Sequence, residues 1–234
     1  MRQLLDGVFA PLTFAVGFVE KSLDIVSEAY GTWTAKNYKN VERSSITGGL
    51  AEALLQLEPL STPPRRSLLL STESPWTAYF DNGTRGPDAP PVVGYLCRLL
   101  RCRGVVATWV PHTLDSETGN EKGTYGAVQF ELFASSETEF LNYERTISVA
   151  YDAGKWKSSF YGTVQPYEDT EQYEKRKTIE KFTPFMLNAY CRALGINLLD
   201  DEFYHGLGTL TVKNGPPPPK EFLLAEARRR LGLQ

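Results

Sequence analysis

Apolar residues recur near helical spacing at both ends of the chain and alternate with polar ones through its middle. From Thr13 to Tyr30, Phe14, Phe18, Val19, Ser22, Val26 and Tyr30 predict an amphipathic helix whose first third also reads as a strand. Residues 46, 50, 53, 54 and 57 predict a second helix, with Pro59 just past its end. The pattern then turns to strands: SLLLS (Ser67–Ser71), WTAYF (Trp76–Phe80), VVATWV (Val105–Val110), Tyr125–Ala134, Arg145–Tyr151, Trp156–Val164 and LGTLTV (Leu207–Val212). Asp152-Ala153-Gly154 reads as a hairpin turn. In WTAYF, Trp76, Ala78 and Phe80 share one face, and Thr77 and Tyr79 share the other.

Between these strands, Asp88 suits a helix cap, with Pro90 and Pro91 in the first turn. Val92, Leu96, Leu99 and Leu100 form the buried stripe, and Gly104 is the expected stop. Thr170–Lys181 is charged and reads as helical. Thr183-Pro184 is the clearest helix start, with Phe182 and Leu187 as a hydrophobic staple and Gly195 as the end. Four prolines at Pro216–Pro219 read as a semi-rigid spacer before an amphipathic C-terminal helix over Glu221–Leu233. Consecutive strands flanked by helices predict an α+β fold: a mainly antiparallel sheet of about seven strands covered by helices on one face. The expected organisation is one domain over 1–215, the spacer at 216–219 and the C-terminal helix at 220–234.

Composition narrows the function. The 234 residues carry a formal charge of −3, which offers no global field for nucleic acid or an anionic membrane. No apolar run reaches the length of a spanning helix. Three cysteines, an odd number without a paired framework, suit a reducing compartment, and the cytoplasm is the expected location.

The chemistry is mostly negative. With two histidines and no Cys-x-x-Cys, no metal site is expected. Cys97 and Cys102 would lie about 140° apart on a helix. Phosphate-loop, dinucleotide and nucleophile-elbow motifs are missing, so no cofactor is expected. Gly83-Thr84-Arg85-Gly86 matches the bare Gly-x-x-Gly of KH-type RNA loops, but a strand precedes it and its surroundings are acidic. Lys155 and Lys157 read as protection of an exposed strand edge.

Two functions remain. The first is a non-catalytic protein-interaction module presenting aromatic and acidic surface, with Tyr79, Arg85, Asp200, Asp201 and Tyr204 as candidate binding residues. A small, acidic chain of this kind suits a toxin-neutralising immunity protein, and WTAYFDNG and YCRALGI…DDEFY resemble stretches of uncharacterised bacterial proteins of that general sort; a toxin is then the expected partner, and the resemblance carries no functional residues. The alternative is a cofactor-free enzyme in which Arg85 holds a small polar or anionic substrate, Asp81 acts as base and His112 assists. In PWTAYFDNGTRGPDAP, Asp81-Asn82-Gly83 already has a structural explanation as turn chemistry. Arg85 and an exposed Tyr79 do not.

Overall fold

A computed structural model describes residues 3–114 and 123–233. In chain order the elements are β1 (Ala15–Val19), α1 (Leu23–Asn37), β2 (Asn40–Ile46), α2 (Leu50–Leu55), β3 (Leu60–Thr62), β4 (Arg66–Thr72), β5 (Thr77–Asp81), α3 (Ala89–Leu100), β6 (Gly104–Val110), β7 (Ala127–Phe133), β8 (Tyr143–Asp152), β9 (Lys155–Gly162), α4 (Thr178–Lys181), α5 (Pro184–Ala193), β10 (Tyr204–Asn214), β11 (Lys220–Phe222) and α6 (Leu224–Arg230). Nine strands form one antiparallel sheet in the order β2-β10-β4-β5-β1-β6-β7-β8-β9. A second, two-stranded sheet pairs β11 with β3. The α+β class and the antiparallel sheet are as the pattern predicts.

The expectation of helices on one face is corrected: helices cover both faces of the sheet's centre. On one side, α1 and α3 bury Val19, Leu69, Tyr79 and Val106 against Tyr30, Val93 and Leu96. On the other, α2, α5 and α6 cover Phe18, Leu68, Leu70, Phe80, Val105 and Phe130. Strands buried on both faces lose their polar alternation, and the three consecutive leucines of SLLLS carry that signal. Gly17 lets α3 lie close on β1, since a Cβ there would fall 2.6 Å from Val93 Cγ2 and 3.2 Å from Ala89 Cβ.

Local differences from the predicted pattern have local causes. The apolar run before Tyr30 divides into β1 and α1. The helix expected over residues 46–57 contracts to α2, and Ile46 ends β2, a polar edge strand that periodicity does not reveal. Asp88 occupies the N-cap position of α3 without a side-chain cap bond. That helix ends before Gly104, because Arg101 adopts a left-handed conformation (φ 49°). Its stripe shortens too, since Leu99 is exposed. The reversal at Arg101 returns Cys102 to Cys97: its N–H donates to the Cys97 carbonyl at 3.1 Å. The 140° separation expected on a continuous helix therefore does not apply.

Thr170–Lys181 forms only a 3-10 turn at Glu171–Glu174 and the single turn α4, with Tyr173 packed on Phe160. Thr183 caps α5 as expected, accepting from the Met186 N–H at 3.4 Å. After the prolines, residues 220–222 are strand rather than helix, and α6 is correspondingly shorter. Leu224, Ala227 and Leu231 bury that C-terminal segment against the rest of the chain.

Candidate functional site

The sheet is covered unevenly. β1 and β5 are buried at every residue. Along β8, buried Arg145, Ile147 and Val149 alternate with half-exposed Thr146, Ser148 and Ala150. Pairing places Gln129 opposite Ser148, Glu131 opposite Thr146, and Thr146 opposite Tyr161. These residues form a face of β7–β9 on the α3 side of the sheet that no helix among the described residues covers.

The 135–141 loop folds over one end of this face and creates a groove of about 470 Å³, lined by Gln129, Glu131, Phe140, Tyr143, Ser148 and Tyr161. A second concavity of about 430 Å³ lies between the loop and α3, bordered by Pro91, Tyr95, Arg98, Phe133, Leu141 and Tyr143. Tyr143 forms a wall of both.

The loop is held from below. Buried Asn142 donates to the Gly94 carbonyl at 3.1 Å, tying the loop to α3. The Thr138 hydroxyl donates to the Tyr143 carbonyl at 2.9 Å. With these tethers in place, Phe140 and Leu141 project into solvent, 57% and 61% exposed. Phe140 stacks on Tyr143 at 5.9 Å and meets Tyr161 edge-on at 6.2 Å.

On the groove floor, Tyr143 donates from its hydroxyl to Glu131 Oε1 at 3.1 Å. Burial raises the Glu131 carboxyl above its ordinary value, partly offset by that bond. Burial, with the Glu131 charge, also raises the Tyr143 hydroxyl. Glu137 and Glu139 are exposed on the same loop, and Glu137 lies 3.9 Å from Arg98 of α3.

The residues singled out from sequence lie elsewhere. Tyr79 is corrected from an exposed to a buried residue, at 1% exposure. Its ring packs on Tyr30 at 6.0 Å and its hydroxyl donates to Asp81 Oδ2 at 3.1 Å. Tyr204 is likewise buried and donates to the Leu198 carbonyl at 2.8 Å. Asp200 accepts from the Glu202 N–H at 3.1 Å, and Asp201 from the Leu5 N–H at 2.8 Å. Asp200 secures the local turn, and Asp201 ties down the N-terminal segment.

Asp81, Arg85 and His112 face three different surroundings. Asp81 is buried, and its oxygens accept from the Gly83 and Asp88 N–H groups, both at 2.9 Å, as well as from Tyr79. Desolvation raises its carboxyl to about 6, against the opposing effect of those bonds. His112 rests on Tyr151 at 4.3 Å and Trp156 at 5.5 Å, and its Nδ1 accepts from the Gly126 N–H at 3.2 Å. Arg85 is exposed and lines a separate concavity with Lys220 and Arg230.

Among the described residues, no group of three or more His, Cys, Asp or Glu side chains is placed to hold a metal ion, and no helix is long and apolar enough to cross a membrane. The chain matches no protein-family model, no curated protein and no solved structure. Sequence reasoning missed Phe140 and Leu141. The available signal was two large apolar residues inside SSETEFLNY, a polar stretch that joins two strands.

Proposed function

We propose that the protein is a non-catalytic interaction module that receives another protein on the uncovered face of β7–β9. The supporting observation is the groove itself: Phe140, Leu141 and Tyr161 exposed around Tyr143, with the 135–141 loop tethered beneath them. Exposed apolar residues on a tethered loop give a partner contact area at little ordering cost. The exposed carboxylate of Glu139, next to Phe140 on the loop, suits a partner with a cation beside an apolar anchor. A toxin neutralised in a bacterial cytoplasm is a partner of that kind. Three buried cysteines without a disulfide suit such a reducing setting.

The enzyme reading has less support. Asp81 spends its oxygens on the turn that follows it, and neither Arg85 nor His112 is among its hydrogen-bond partners. The interaction reading is tested by affinity capture from the native host. Tagged protein is expected to retain one discrete partner, and the Phe140→Asp/Tyr161→Asp variant to lose it with unchanged melting. Leu55→Asp, at an exposed residue of α2, should keep the partner. Retention of the same partner by the double variant would overturn the reading.

A further inference from the structure

A third concavity, lined by none of the aromatic groove's residues, gathers positive charge in a chain of net charge −3. It has a volume of about 380 Å³, and its lining includes Thr84, Arg85, Lys220, Phe222, Ala227 and Arg230. Two distant pieces of chain build it. One is the turn after β5, the other the β11–α6 segment.

The turn is fixed by buried polar side chains. Asn82 Oδ1 accepts from the Arg65 and Arg66 N–H groups at 2.8 and 2.9 Å, and its amide donates to the Pro59 carbonyl at 2.6 Å. Asp81 holds the Gly83 N–H, and the Gly86 N–H closes on the Gly83 carbonyl at 3.1 Å. Gly83 cannot carry a side chain here, because a Cβ would fall 2.2 Å from the Gly86 oxygen. This scaffold displays one exposed cation, Arg85.

The opposite wall is set by pairing. Lys220 lies opposite Thr62 in the β11–β3 ladder, and the Thr62 hydroxyl contacts that of Thr84 at 2.6 Å. The Arg230 guanidinium lies 4.1 Å over the Phe222 ring, with Glu226 Oε1 at 2.9 Å from its Nη2. Among the described residues, Glu226 pairs with Arg230 and no carboxylate pairs with Arg85 or Lys220. Three cations against one carboxylate leave an excess of about two positive charges around one opening.

We propose that this concavity binds the dianionic phosphate of a small phosphate monoester. A phosphate monoester carries a charge of about −1.5 to −2 at neutral pH, which matches the excess; a monocarboxylate leaves about one charge uncompensated. Arg85, Lys220 and the outward N–H groups of Arg230 take the phosphate oxygens. Phe222, Ala227 and Leu231 give the organic part an apolar wall. The buried Asp81 and Asn82 side chains thereby act as positioning residues for Arg85.

Titration of the 15N-labelled protein with phenyl phosphate at low salt tests the proposal. Saturable shifts are expected at Gly86, Phe222 and Ala227, with a Kd of about 1 mM or tighter. Benzoate and inorganic phosphate should each bind at least about tenfold more weakly, and Arg85→Ala and Lys220→Ala should each weaken phenyl phosphate about tenfold. Both residues are exposed, so these variants should melt like the parent. Arg98→Ala, on α3 and outside this concavity, should bind normally. Absence of saturation, equal binding of benzoate, or indifference to the two alanine variants would overturn the proposal. Inorganic phosphate binding as tightly as phenyl phosphate would overturn its assignment to an ester.

Discussion

Arg145→Met leaves the Glu168 carboxylate buried without its cation. In the parent the two side chains are 4% and 0% exposed and meet through two parallel bonds of 2.9 and 2.7 Å. Glu168 also accepts from the Gln165 N–H and the Tyr173 hydroxyl, both at 2.8 Å, so this pair ties the segment after β9 to the sheet. Removing one partner of such a pair costs about 3–5 kcal/mol, because the remaining charge keeps its desolvation without compensation. In a chain of this length each kcal/mol lowers Tm by about 2–4 °C, so the expected fall is about 10 °C.

Removing both charges in Arg145→Met/Glu168→Leu costs less than the two single changes added together. Tyr173 keeps the Tyr190 hydroxyl at 2.9 Å, while the carbonyls of Tyr161 and Gly162 lose weak bonds of 3.4 and 3.2 Å. The expected coupling is about 2–3 kcal/mol. Urea unfolding of the parent, the two single variants and the double variant measures it. A single-variant loss under about 1 kcal/mol, or strict additivity, would refute the reasoning.

Three further changes probe other parts of the fold. The Asp81 carboxyl sits at about 6 against an ordinary 3.8, so its contribution to stability is full below about pH 4. It is lost as pH rises through 6, by about 3 kcal/mol in all. Asp81→Asn should flatten that fall in urea midpoints taken from pH 4 to 7, relative to the parent; parallel profiles would contradict the assignment. Gly17→Ala should cost about 1–3 kcal/mol by lifting α3 off β1, read by thermal melting and absent if α3 simply slides. Ala153 has φ 49° in the β8–β9 turn, so Ala153→Asn, ahead of Gly154, should stabilise by about 0.5 kcal/mol; a loss of stability would mean the turn has another shape.

Elements with a strong period were legible. The β8–β9 hairpin, the α5 start at Thr183-Pro184 and the facing of Trp76, Ala78 and Phe80 away from Tyr79 follow from local chemistry. What was not legible depends on long-range cover. Tyr79 alternates with the core residues of its own strand, and nothing local reports that α1 and α3 lie over its face. Thr146 and Ser148 show the same alternation, but there the second face stays open. β2 is polar at most positions and exists because β10 pairs with it. The groove had no local signature, since Phe140 meets Tyr161 only after β8 and β9 pair and the 135–141 loop is tied to α3. Arg85 alone stood out in its loop, but Lys220 and Arg230 join it from more than a hundred residues away.

Site-specific photo-crosslinking in the native host tests the interaction account most directly. A photoreactive residue is placed at Tyr161, inside the groove, and in a second protein at Tyr38, which is 44% exposed just before the opposite edge of the sheet. The account predicts one discrete protein adduct from Tyr161 and none from Tyr38. Adducts from Tyr38 alone, or indistinguishable adducts from both positions, would contradict it.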